Sequence, residues 1–92
     1  MLEKEIQSKI KKELTKRGYK VRRAVANTES GWPDLDVYKD GRVVFGEVKR
    51  PGEKLTKLQE FRKKELESIG FIVLVLNTVN DCDRVELAFK NY

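Results

Sequence analysis

The chain has 92 residues, 39% apolar and 38% charged, with 20 Lys and Arg against 15 Asp and Glu, a formal charge of +5 and a pI near 9.4. A core of this size cannot be divided, so residues 1–92 are read as one domain, and the basic balance makes a polyanion a candidate partner. A single cysteine excludes an internal disulfide or a cysteine-held metal cluster, and the absence of histidine removes the usual neutral-pH base and the usual nitrogen ligand of zinc, so any metal would be held by oxygen.

Leu2, Ile6, Ile10 and Leu14 recur every four residues and predict an amphipathic helix from Leu2 to Arg17, ended by Gly18. Tyr19 to Ala26 alternates as a strand near a sheet edge, and the polar run from Asn27 to Gly31 reads as a loop. Leu35 to Tyr38 and Val43 to Val48 are strands around Asp40-Gly41, a strong hairpin signal, and Pro51-Gly52 stops the second. Thr56 and Gln59 match a capping box that opens a helix running to Ile69, closed by Gly70. Phe71 to Leu76 is wholly apolar and is expected inside the sheet, parallel to a neighbour, with the preceding helix as its crossover. Cys82, Val85, Ala88, Phe89 and Tyr92 fall at helical spacing, so the order is α-β-β-β-α-β with a possible C-terminal helix. The longest apolar run, six residues, is far short of the ~20 needed to span a bilayer, and the N-terminus is charged rather than signal-like. With the lone cysteine, this leads to the expectation of an intracellular, cytoplasmic protein with no membrane partner.

The hairpin contains a conflict. If Asp40 and Gly41 are the two loop residues, Lys39 faces Arg42 and Asp34 falls directly across from Glu47, with Lys49 on the same face as Glu47; a bulge near Pro33 would shift this register. Like charges so opposed are destabilising. Leu35, Val37, Val44 and Val48 occupy the other face, so the carboxylates sit with Val43 and Phe45. A partly buried carboxylate pair needs a shared proton or compensating charge. Lys49 could neutralise one carboxylate in a solvated pair, but a hard divalent ion, Mg²⁺ or Mn²⁺, prefers this kind of oxygen site. A metal with an ammonium alongside suits phosphodiester hydrolysis: it acidifies a water while the ammonium stabilises developing charge, and no histidine is needed.

Pro33-Asp34, twelve intervening residues, then Glu47-Val48-Lys49 resembles the PD-(D/E)XK nuclease signature. Gly31-Trp32-Pro33-Asp34-Leu35, the run Glu47-Val48-Lys49-Arg50-Pro51-Gly52, Lys54-Leu55-Thr56-Lys57-Leu58-Gln59 and the opening Glu3-Lys4-Glu5-Ile6-Gln7 are together similar to the VRR-NUC family, a likeness spanning roughly Leu2 to Leu76. The resemblance implies an α/β restriction-endonuclease-like αβββαβ core with a mixed four-stranded sheet flanked by helices, and metal-dependent cleavage of structured DNA. It also implies homodimers similar to Holliday junction resolvases. Carried over, it implies Asp34, Glu47 and the Val48 carbonyl as metal ligands, Lys49 as catalytic lysine, Gln59 as an orienting residue, and an N-terminal-helix glutamate. Helical periodicity favours Glu3 over Glu5, since Glu3 falls next to the arc of Leu2, Ile6 and Ile10 and Glu5 well outside it. The capping box is by itself a sufficient reason for Gln59, and Asp36, opposite Phe45, is read as auxiliary or structural. Two departures are Glu53, where many relatives have glycine, and the bulky Trp32 before the proline.

Arg22, Arg23, Lys54 and Lys57 flank this site and are expected to contact DNA phosphates, whereas Lys9, Lys12 and Lys16 read as solvated surface. Symmetric cutting of a four-way junction calls for a two-fold dimer, through the C-terminal helix with Phe89 and Tyr92 or through an apolar sheet edge. The alternatives are a less selective nickase or flap nuclease of the same fold, or an inactive nucleic-acid-binding module.

Overall fold

In the computed structural model, which describes residues 1–24 and 29–92, the four-residue apolar stripe lies on helix α1 (Glu3–Lys16), with Ile6, Ile10 and Leu14 buried. Glu5 holds the first turn, its Oε1 accepting the Leu2 backbone N–H at 3.0 Å. Strand β1 (Lys20–Arg23) is shorter than the first predicted strand, with Tyr19 and Ala24 outside it; Val25, Ala26 and the start of the predicted loop at Asn27 and Thr28 lie outside the described residues. Strands β2 (Leu35–Lys39) and β3 (Arg42–Val48) are joined by Asp40-Gly41. Both turn residues have positive φ, 52° and 75°, the pair of left-handed conformations that a two-residue type I′ hairpin needs. The expected register follows, with Lys39 opposite Arg42, Val37 opposite Val44 and Leu35 opposite Gly46.

Helix α2 (Lys57–Ser68) starts at the expected capping box: Thr56 Oγ1 accepts the Gln59 N–H at 3.1 Å and Gln59 Oε1 accepts the Thr56 N–H at 2.9 Å. Strand β4 (Ile72–Leu76) then pairs in parallel with β3, and a 3₁₀ turn (Val79–Asp81) leads into α3 (Cys82–Lys90). The mixed sheet has the order β1-β2-β3-β4. β4 is therefore an edge strand, not the interior one its apolar run suggested. Its apolarity reflects two covered faces rather than two strand neighbours. Ile72 and Leu74 pack against the larger core cluster beside α3, Val73 packs with Leu66 of α2, and Arg84 Nη1 donates to the Val75 carbonyl at 2.7 Å.

The result is three layers. On one side of the sheet, Val21, Leu35, Val37, Val44, Val48 and Leu76 meet Ile6, Ile10 and Leu14 of α1 and Val85 and Phe89 of α3. Cys82 is fully buried there, its Sγ 3.9 Å from the Ile10 carbonyl oxygen. Arg17 ties the two helices, bonding Glu13 at 2.7 Å, Asp83 at 2.8 Å and Glu86 at 3.1 Å. On the other side a smaller cluster of Phe45, Leu66 and Val73 is completed by Trp32, Val43 and Phe71.

Candidate active site

Alternation along β3 places Val43, Phe45 and Glu47 toward α2. The β2–β3 ladder stops at Leu35 and Gly46, and Asp34 sits one residue beyond it. There its carbonyl accepts the Ala24 N–H at 2.8 Å, and its Oδ2 accepts the Val48 N–H at 2.8 Å. The second bond turns the carboxylate onto β3 beside Glu47, so the two acids meet as the hairpin register requires. Glu47 is only 3% exposed. Burial first, then the contact with the Asp34 carboxylate and its charge, push the Glu47 carboxyl far above the ordinary range; Lys49 opposes the rise and Glu3 adds to it.

Lys49 is 7% exposed, yet it forms no ion pair among the described residues. It is not the neutralising partner of a solvated pair. Its backbone is fixed on both sides: its N–H donates to the Leu76 carbonyl at 3.0 Å, and its carbonyl accepts from Asn77 Nδ2 at 3.0 Å. Gln59 combines the two roles weighed from sequence. While Oε1 closes the capping box, Nε2 donates to Glu47 Oε1 at 3.3 Å, so one amide both starts α2 and holds the buried acid.

The loop that delivers Asp34 is latched to α2. Arg62 Nε donates to the Ser30 carbonyl at 2.9 Å and lies 3.6 Å from Glu29 Oε2. Gly31, at φ 80°, approaches α2 so closely that a Cβ would lie 2.8 Å from the Leu58 carbonyl oxygen, a position only glycine fills without strain. Trp32 then stacks edge-on against Phe45 at 5.7 Å, which gives the bulky residue a place in the smaller core. Arg62 and Asn77 were not singled out from sequence. No spacing rule links a loop carbonyl to an arginine thirty-two residues on, and Asn77 is placed by the parallel β3–β4 register, which a crossover helix does not reveal.

Other expected residues separate. Glu3 is half-buried and close enough for Glu47 to sense its charge, whereas Glu5 is exposed and occupied by the helix cap. Glu3 does not complete a ligand cluster: no group of three acidic, histidine or cysteine side chains suited to a metal occurs among the described residues. Asp36 accepts from Tyr38 Oη at 3.0 Å, and its Oδ1 is buried with no hydrogen-bond partner among the described residues. Arg22 pairs in register with Asp36 on the α2 side, while Arg23 donates to Ser8 of α1 on the opposite side, so the two neighbours serve different surfaces. Lys54 and Lys57 are exposed before and at the start of α2. Glu53 is bonded to Arg50 at 2.7 Å and accepts the Arg50 N–H at 3.1 Å, so its charge is largely compensated. Phe89 is buried in the core against Tyr19 at 5.0 Å, which removes it from any interface and corrects the expectation placed on it.

No family model matches the sequence, and no curated protein is similar to it. Solved structures are. One described as "VRR_NUC domain" superposes with a TM-score of 0.80 at 26% identity, over 98% of this chain and 96% of that one. The chain thus resembles VRR-NUC domains over nearly its whole length. A second, "VRR_NUC domain protein", shares the fold at a TM-score of 0.83 and 18% identity, over 98% of this chain and 89% of that one. The VRR-NUC fold is a nuclease fold of the PD-(D/E)XK type, and the C-terminal helix belongs to it.

Proposed function

We propose that this VRR-NUC-like domain is a Mg²⁺- or Mn²⁺-dependent, structure-selective DNA endonuclease that resolves four-way junctions as a homodimer. The observation that carries the reading is the buried meeting of Asp34 and Glu47 beside an ammonium with no ion-pair partner among the described residues. The donor set fits a hard cation, with two carboxylates and the Val48 carbonyl as ligands and water for the rest. Such an ion, when bound, lowers the pKa of a water and screens the phosphate. Lys49, held through its backbone by Leu76 and Asn77, stabilises negative charge developing on the phosphate oxygens. Gln59 fixes the Glu47 carboxylate, and Glu3 adds negative charge at the mouth of the site.

Paired cuts across a junction require two copies of a single-site domain. Exposed Leu87 on α3, beside Ile72 and Leu74 of the β4 edge, supports an isologous contact there. Asp34→Ala and Lys49→Ala should each abolish cleavage while junction binding persists. Four-way junctions, flaps and plain duplex with Mn²⁺ form the substrate panel. Equal cutting of all three rejects junction selectivity, and normal cutting by both variants rejects the site.

A further inference from the structure

The polar side of α1 contains a second periodic stripe. Ser8, Lys11, Lys12 and Thr15 follow one another at helical spacing and, with Arg23 of β1, line a groove of about 340 Å³. Arg23 Nη2 donates to Ser8 Oγ across it. No carboxylate lines the groove. Glu13 turns toward Arg17 and α3, and Glu5 is engaged by the Leu2 N–H. Neither Lys11, Lys12 nor Arg23 forms an ion pair among the described residues. By contrast, the cations Arg17, Arg50, Arg62, Lys63 and Arg84 are all tied to acids.

We infer that this groove seats the sugar-phosphate backbone of one strand of the substrate DNA. The Thr15 hydroxyl, two ammonium groups and a guanidinium are the donors that phosphate oxygens take, and they carry no base specificity; Ser8 Oγ, which donates to the Lys4 carbonyl, positions the guanidinium. The stripe from Ser8 to Thr15 rises about 10 Å along the helix, long enough to take in more than one phosphate of a strand. It lies on the α1 side of the sheet, opposite the α2 side on which Asp34 and Glu47 meet, so it holds DNA outside the site rather than the bond being cut. This rests on the nuclease reading and extends it. Lys12, which reads as solvated surface in the sequence, belongs with Lys11 and Arg23 to the electrostatic track of the substrate.

The test measures binding of fluorescent junction DNA by anisotropy across a salt series. Lys11→Ala/Lys12→Ala/Arg23→Ala is compared with Lys63→Ala/Lys64→Ala/Lys90→Ala, which removes the same charge elsewhere. Each lost phosphate contact lowers the slope of log K against log salt by about 0.9, so the groove variant is expected to lose about two to three of slope. The control should keep the wild-type slope. Lys12→Glu alone should weaken binding further than Lys12→Ala, while its thermal melt stays at the wild-type value. A groove variant with the wild-type slope, or a control with the same loss, overturns the groove even if the wild type cuts normally. A wild type that binds with the expected slope but never cuts sinks the nuclease reading and leaves the groove standing.

Discussion

At the level of single residues, the site is built from groups that serve two masters, and this makes their roles separable. Gln59 closes the α2 cap with one end and holds Glu47 with the other. Gln59→Ala should cost about 1 kcal/mol from the cap, a drop of roughly 4–8 °C in melting temperature, and should also slow cleavage. Gln59→Glu keeps the cap oxygen and so should melt near the wild type, yet cut poorly because it sets a second acid against Glu47. Melting curves and single-turnover rates on both variants check this. Glu47 also gives a pH signature. Its carboxyl, ordinarily near 4.5, is pushed up to about 9 by burial and by Asp34, so the fold favours its protonated form. The stability this lends is complete below the unfolded value and is lost as pH rises through the folded one. Metal-free protein should lose melting temperature between about pH 5 and 9, Glu47→Gln should flatten that slope, and Mn²⁺ should stabilise the wild type more at pH 8 than at pH 6.

At the level of elements, α2 is both a crossover and a clamp. Its N-terminal turn holds Glu47 through Gln59, and one turn later Arg62 holds the loop that delivers Asp34. The two acids are thus referred to one rigid body. Arg62→Ala removes a charge-assisted bond worth about 1.5–3 kcal/mol, and the loss should appear as weaker Mn²⁺ binding in calorimetry and slower cutting at low Mn²⁺, recovered at high Mn²⁺. Arg62→Lys should retain most of both. Much of this scale was legible in the sequence. Asp40-Gly41 dictated the hairpin register and thereby the meeting of Asp34 with Glu47, Thr56 and Gln59 marked the helix start, and the four-residue stripe marked α1. What was illegible depends on contacts between elements. The apolar run of β4 says that both faces are covered, but not whether the cover is strand or helix, so its edge position could not be read. The Arg62 latch and the Asn77 bond likewise arise only after the elements dock.

At the level of the whole molecule, function depends on surfaces that pattern reasoning ranks poorly. Phe89 and Leu87 are two residues apart on the same short helix, and helical phase sends one into the core and leaves the other 58% exposed. The larger, more apolar ring drew the sequence argument, but the phase of α3 against the sheet decided the outcome. If α3 and the β4 edge form the two-fold contact, Leu87→Asp should convert the dimer to monomer by light scattering and leave uncoordinated single nicks in place of paired cuts. Arg17 bridges α1 and α3 through three acids, so the same helix is anchored behind as it is offered in front.

The sole thiol offers a clock. Cys82 lies at the seam where the first and last helices close over the sheet, with burial raising its pKa to about 11. Alkylating reagents therefore find almost no thiolate until those helices part. Labelling kinetics under native conditions should time the opening of this layer without any engineered probe, and a substrate that grips α1 should lengthen the interval.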